Sequence, residues 1–419
     1  MKSTLATLTT VALSTSTALA QHVFMPLNFR YGYNHKVSTD LYSPSTNTTI
    51  EVVVDTGSEN FLLFGPNSID NWGLRCLACQ GPCNVSVPVG SYYDDLNSAT
   101  AGPRQNFSAS YVFGGADKIY TGDYAVNDTF AFTNAAGLKE TVDDVKVALM
   151  QFLVQRVEDP TCANPPAYDL GILGIAPYYS DDSRNTSGPS FRQHLLERKA
   201  ISAPVQSMWF DKAPAAFDGT FTGGSLFGGI DTSKYTGDLV KVINRASSGQ
   251  VGYYVAPPVV SVNGVSFSSN ETDATAYCQL DSGTHDDTLS LAPNTEAAFF
   301  AATNITNSPS GYIAYNGTCD SIPADLTIDL TFPGATAGKS VTVKVPVKSY
   351  ARILLTSNPE FCYLSISTNE YASCMLGAPF STAAFFAADD ERSEVALAQG
   401  GVTVKGDGVK EGSVVVRIP

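Results

Sequence analysis

Positive charge is what this chain has least of. Its 419 residues include 25 Lys and Arg against 40 Asp and Glu, a formal net charge of -15. A surface so poor in cations excludes nucleic acid and anionic membrane surfaces as partners. It also builds up little self-repulsion when its carboxylates protonate, so the composition tolerates an acidic medium. Charged residues of either sign are only 16% of the chain while 43% are hydrophobic, which excludes disorder. Histidine is rare: residues 22, 35, 194 and 285 are scattered without ligand spacing, so no metal site and no cofactor is expected. Beyond the N-terminus no run approaches the roughly 18 apolar residues of a membrane helix. Residues 414–419 are too short for a lipid-anchor signal, and low-complexity tracts, heptads and short repeats are absent.

What is present begins with an export signal. Lys2 is the basic end, Leu8 to Leu13 the apolar stretch, and Ala18-Leu19-Ala20 the small-residue exit. Residues 1–20 therefore read as a signal peptide, and a secreted, extracellular, monomeric protein is expected from Gln21 onward. Eight cysteines fit an oxidising compartment. Four lie in the first half (Cys76, Cys79, Cys83, Cys162) and four in the second (Cys278, Cys319, Cys362, Cys374). The spacing Cys76-x-x-Cys79-x-x-x-Cys83 also fits part of a zinc cluster, but no histidine supports it. The first-half cysteines allow three disulfide connectivities, all left open. Glycosylation sequons at Asn47, Asn84, Asn106, Asn127, Asn185, Asn270, Asn304 and Asn316 agree with export.

Length favours two packed lobes, and periodicity makes the chain mainly β. Leu326, Ile328, Leu330 and Phe332 alternate with polar residues, as do Val341, Val343 and Val345. The clearest helix is short, residues 190–198, with Ser190 as its cap and Phe191, Leu195 and Leu196 on one face. It precedes a lobe junction near Gln206, dividing the chain into residues 21–205 and 206–419. The halves are related in sequence. The β-branched run from Ile50 to Val54 ends in Asp55-Thr56-Gly57-Ser58, and Tyr277 to Leu280 leads into Asp281-Ser282-Gly283-Thr284. Each is followed later by an apolar pair and a glycine, Ile172-Leu173-Gly174 and Met375-Leu376-Gly377.

An apolar strand running into such a tetrapeptide buries a carboxylate at a strand end, with glycine permitting a tight turn and hydroxyls placed to hydrogen-bond the acid. One copy should arise by chance in about one chain in forty of this length, so a single copy is a weak signal and two, one per half, a strong one. If the halves pack about an approximate two-fold axis, Asp55 and Asp281 meet, and two carboxyls in one small site do not both ionise. The result is an acid and a base side by side, able to activate a water and polarise a carbonyl without metal or covalent intermediate.

At these residues the chain resembles the pepsin-like aspartic proteases, and among them the secreted fungal kind, over nearly the whole mature sequence. Further motifs carry the likeness: Asp169-Leu170-Gly171-Ile172-Leu173-Gly174, then Gly228-Gly229-Ile230-Asp231 with Lys234-Tyr235-Thr236-Gly237, and the terminal Phe380, Phe385, Phe386 and Val395-Ala396-Leu397-Ala398. The resemblance implies a bilobal β fold, two lobes related by a pseudo-two-fold axis, with an interlobe cleft for extended polypeptide. It implies an aspartic endopeptidase with Asp55 and Asp281 catalytic, Thr56 and Ser282 as an interlobe hydroxyl pair, and Ser58 and Thr284 on the outer carboxylate oxygens. Gly57 and Gly283 would let substrate backbone approach, and Tyr111 would be the tyrosine of a flap over the cleft. It also implies disulfides Cys319–Cys362 and Cys278–Cys374. A different class of function, a binding or inhibitory protein on the same fold with weak or no proteolysis, is the alternative.

The chain also departs from that pattern. Leu62 stands where the family usually has the tryptophan that bonds the flap tyrosine, and the flap, Tyr111-Val112-Phe113-Gly114-Gly115, is longer than usual. Gln279 puts a polar group in a supporting strand. His285-Asp286-Asp287 replaces an apolar turn, and Asp286 and Asp287 are expected to be solvated loop charges. From Gln21 to Asp55 there are 35 residues, about what the first strands need, so no inhibitory propeptide is expected.

Overall fold

The computed structural model describes residues 22–30, 36–72, 83–88, 91–114, 118–133, 139–155, 170–177, 191–213, 220–247, 250–268, 274–309, 311–352 and 360–419. The expected signal peptide, Asp169, Ser190, Cys76, Cys79, Cys162, Asn185 and Asn270 lie outside the described residues.

The alternating stretches form strands with the anticipated faces. Thr327–Pro333 pairs antiparallel with Ser340–Pro346, Leu330 opposite Val343, so that Ile328, Leu330, Phe332, Val341, Val343 and Val345 all enter the core. Burying each such side chain contributes about 1.5–3 kcal/mol. The two halves meet on a shared antiparallel layer in which six strands lie side by side: Thr236–Val242, Glu394–Gln399, Ala384–Asp389, Val205–Phe210, Thr220–Phe227 and Val23–Arg30. Val23–Arg30 continues the layer into the first half by pairing with Val37–Ser43. Two of these strands are buried along their whole length. Both faces are covered: Met208, Phe210 and Phe386 point into the main core, while Val205, Trp209, Phe385 and Ala387 form a second apolar cluster behind the sheet. The expected junction near Gln206 therefore falls at the start of a strand in the middle of this shared layer.

A buried polar network ties the halves together on the main-core side of the sheet, where Tyr253 packs against Phe386. Arg192, on the helix Phe191–Glu197, pairs with Asp390 Oδ2 at 2.8 Å and donates to Tyr253 Oη at 2.8 Å and to Ala176 O at 3.1 Å. Gln206 Nε2 donates to the same Tyr253 oxygen at 2.6 Å and to Ile175 O at 3.1 Å. Cys278 is bonded to Cys374 and Cys319 to Cys362, and Cys83 is also disulfide-bonded. Asn47, Asn84, Asn106, Asn304 and Asn316 are exposed. Asn127 is half-buried, with its Nδ2 donating to Asp144 at 2.8 Å, which makes it the poorest glycan acceptor of the six described.

Removing only the anion from this network leaves the Arg192 guanidinium buried and uncompensated. Asp390→Ala is expected to cost about 3–5 kcal/mol of stability, measured by urea unfolding. A change within about 0.5 kcal/mol, the range of an ordinary surface substitution, would mean that the pair does not hold the halves together.

Candidate active site

The strand Thr48–Asp55 delivers its last residue into the molecule's centre. Ile50, Val52, Val53 and Val54 are buried, and the strand runs parallel to Gly171–Gly174 with Val54 opposite Leu173 and Asp55 opposite Gly174. Phe61–Trp72 pairs with the other edge of Gly171–Gly174, so residues 56–60 must loop across the end of that short strand. Only glycine fits beneath: a Cβ on Gly174 would lie 2.6 Å from Ser58 O and 2.5 Å from Asn60 N. The second half repeats the device. Cys278–Leu280 runs parallel to Cys374–Leu376, Asp287–Ser290 pairs with its other edge, and a Cβ on Gly377 would lie 2.6 Å from Thr284 O. The sequence duplication is thus a duplicated crossing, each copy ending in an aspartate.

The copies face each other and interlock. Thr56 Oγ1 donates to Leu280 O at 2.9 Å and accepts from Ser282 N at 2.9 Å. Reciprocally, Ser282 Oγ donates to Val54 O at 2.6 Å and accepts from Thr56 N at 3.1 Å. Above this lattice the carboxyls of Asp55 and Asp281 come together, within hydrogen-bonding reach of each other. Each is also held from its own loop: Gly57 N and Ser58 Oγ donate to Asp55 at 2.7 and 2.5 Å, and Gly283 N and Thr284 Oγ1 to Asp281 at 3.0 and 2.9 Å. The pKa of Asp281 is raised, first by burial and then by the neighbouring Asp55 charge. Such a pair titrates as a unit and keeps a proton where an isolated carboxyl has lost it.

Gly57 and Gly283 have a role here that the sequence did not suggest. A Cβ on Gly57 would lie 2.7 Å from Asp281 Cγ, and one on Gly283 would lie 2.6 Å from Asp55 Cγ. Each glycine makes room for the opposite carboxyl. Tyr111 lies in the strand Gln105–Phe113, opposite Tyr120 of Lys118–Thr133, and is buried in an apolar cluster that includes Leu62, Tyr120 and Met150. Burial, then the charge of Glu59, raises its phenol pKa. Leu62 thus belongs to the apolar cluster around this tyrosine, and the charge that bears on its phenol is that of Glu59, which no local sequence pattern marks.

Asp286 and Asp287 divide. Asp286 pairs with Arg352 Nη2 at 2.8 Å and is partly exposed. Asp287 is not a solvated loop charge: it is fully buried, and its Oδ1 accepts from Gly377 N at 2.7 Å at the start of the helix Ala378–Ala383. The reason is the crossing itself, which threads Asp287 beneath the loop carrying Asp281. Among the described residues no group of three or more His, Cys, Asp or Glu side chains is placed to hold a metal.

Residues 41–400 match the family model for eukaryotic aspartyl proteases. The chain belongs to that family. Among its relatives it is 25% identical to a probable aspartic-type endopeptidase opsB of Aspergillus oryzae, the match covering 84% of this chain and 65% of that protein. It is 27% identical to secreted aspartic protease 9 of Candida albicans, over 63% of this chain and 46% of the relative. With secreted aspartic protease 8 of Candida albicans it shares 27% identity over 83% of this chain and 72% of the relative. The chain thus spans about two thirds of the first of these proteins and under half of the second. As a family member it has the pepsin-like fold, mostly β and bilobal, with the aspartate of each motif at the junction of the halves. Among the described residues no helix is long and apolar enough to cross a membrane.

Burial pushes the Asp287 carboxyl up to about 7 from 3.8. The folded protein therefore binds this proton more tightly than the unfolded chain does, so the contribution of Asp287 is intact below about pH 4 and is lost as pH rises to about 7. At about 1.4 kcal/mol per unit, the loss is on the order of 4 kcal/mol. Asp287→Asn, neutral at every pH and able to accept the same amide, should flatten this component. Unfolding free energies compared from pH 4 to 8 should diverge in favour of the variant as pH rises; parallel curves would contradict the assignment.

Proposed function

We propose that this aspartyl protease family member is a secreted aspartic endopeptidase, hydrolysing peptide bonds of extended polypeptides at acidic pH between its two halves, residues 21–205 and 206–419. The single observation that supports this most strongly is the meeting of the Asp55 and Asp281 carboxyls, brought from opposite halves so that each lies against the glycine of the other's motif.

In the proposed reaction a water seated between the carboxyls attacks the scissile carbonyl carbon. The ionised carboxyl takes a proton from that water, while the protonated carboxyl gives its proton to the carbonyl oxygen, yielding a neutral tetrahedral diol. Collapse returns one proton to the dyad and delivers the other to the leaving nitrogen, breaking the C–N bond. Ser58 and Thr284 each hold one oxygen of their carboxyl, leaving the other for the water, and the Thr56–Ser282 lattice holds the two loops in register. Tyr111 is proposed to close the cleft from the flap hairpin. Above the upper ionisation of the pair both carboxyls are charged, no acid remains, and turnover is lost.

Purified protein incubated with denatured globin between about pH 2.5 and 7 should cleave it at the acidic end. Pepstatin should block cleavage, and Asp55→Asn should lower it by at least about a thousandfold, the scale of general acid–base catalysis. Intact globin at every pH, together with tight peptide binding, would instead make the chain a binding protein on this fold. Gly57→Ala probes the geometry separately. Its methyl group must displace the Asp281 carboxyl, and a displacement near 1 Å should cost about a hundredfold in kcat with little change in unfolding temperature. Full activity in this variant would show that the pair need not touch.

A further inference from the structure

Beside the dyad lies a concentration of the charge that the chain otherwise lacks. His285 follows Thr284, whose hydroxyl holds Asp281, and its side chain is 49% exposed. Its Nε2 lies 3.4 Å from Asp286 Oδ1, the oxygen that accepts from Arg352 Nη2, and Arg352 Nε is fixed by a 2.7 Å bond to Ser365 Oγ. From the first half, Lys36 immediately precedes Val37, whose amide donates to Ser282 O at 3.4 Å. Lys118 begins its strand opposite Phe113, two residues from Tyr120, the register partner of Tyr111. Lys36 thus comes from a segment bonded to the Asp281 loop and Lys118 from the strand paired with that of Tyr111, and both bear electrostatically on His285, which stands with Asp286 and Arg352 directly after that loop. Asp286, already engaged by Arg352, stands among them, and on the flap side Glu59 bears on Tyr111.

The charges act on a common space. The pKa of His285 is lowered, first by desolvation from the protein walls around it. Asp286 pulls the other way, and Arg352, Lys36 and Lys118 each add to the lowering. Whatever else the two lysines touch, their field at the imidazole is positive. In acid His285 itself protonates and joins them. A cleft wall of this sign, in a molecule of net charge -15, attracts an anionic group and repels a cationic one.

We propose that Lys36, Lys118, Arg352 and His285 form a substrate subsite that selects an anionic side chain, carboxylate or phosphate, in the polypeptide lying across Asp55 and Asp281. This rests on the endopeptidase reading and adds to it a substrate class. A glutamate in the peptide ionises near about pH 4.3, so selection by carboxylate holds above that pH and fades below it. A phosphoserine keeps at least one negative charge and is selected throughout.

The test uses peptides differing at one position, carrying Gln, Glu, Lys or phosphoserine, scanned through the residues flanking the scissile bond. Turnover by the intact enzyme is measured at about pH 5 and 3, and equilibrium binding of the same peptides to Asp55→Asn at both. At one position Glu should exceed Gln at pH 5 by about fivefold, chiefly in KM, as a few part-exposed ion pairs allow. Lys should fall below Gln, and only phosphoserine should keep its advantage at pH 3. The Glu-to-Gln ratio should collapse toward one in a Lys36→Gln, Lys118→Gln double variant and return in Lys36→Arg, Lys118→Arg. Equal turnover and binding for Glu and Gln at every position would overturn the subsite, as would a preference that survives loss of both lysines. Failure to cleave any peptide would sink the endopeptidase reading, while the binding measurements would still decide the subsite.

Discussion

Everything at the centre of this protein depends on four hydrogen bonds between two loops that are 226 residues apart. Thr56 and Ser282 each donate to a carbonyl of the opposite half and accept an amide from it. Buried bonds of this kind contribute about 0.5–1.5 kcal/mol each, so the lattice is worth a few kcal/mol. Its larger effect is geometric. Two acids repel when both ionise, and only a rigid floor keeps them at a distance where sharing a proton is the better alternative. Gly57 and Gly283 complete the arrangement by giving each carboxyl the volume that the other half's side chain would occupy.

Much of this was legible in the residues themselves. The duplicated Asp-hydroxyl-Gly-hydroxyl tetrapeptides pointed to both carboxyls, and the resemblance they carry implied the two hydroxyl pairs, though not that each glycine makes room for the opposite acid. The alternation around Leu330 and Val343 gave the strand faces, since period two is a local property. The apolar pairs before Gly174 and Gly377 marked a repeat, although what those glycines do became clear only when the crossing loops were seen to leave no room for a Cβ.

What the residues did not reveal is what depends on three-dimensional crowding. Asp287 reads as a loop charge because its neighbours are His285 and Asp286, yet the crossing carries it under the chain to cap a helix 90 residues away. Arg192, Tyr253, Gln206 and Asp390 have no common motif, and only the shared sheet assembles them. Glu59 is similarly silent: nothing in its local pattern indicates that its charge bears on Tyr111, which a hairpin begun some 45 residues later brings to it. Such residues are fixed by what packs against them, and a sequence pattern carries that information only when the packing is itself repeated.

The buried acids of this molecule bear on the environment it is built for. Asp211, Asp281, Asp287 and Asp389 all have pKa values raised, in each case first by burial, and so all bind protons more tightly when folded. Each therefore favours the native state in acid and disfavours it as pH climbs. An amide at such a position would remove this dependence on pH, since burying an ionised carboxylate is costly. Under the proposed chemistry the dyad needs its shared proton to work. On that proposal, the protonation that permits turnover is also the one that these four carboxyls favour in the folded state.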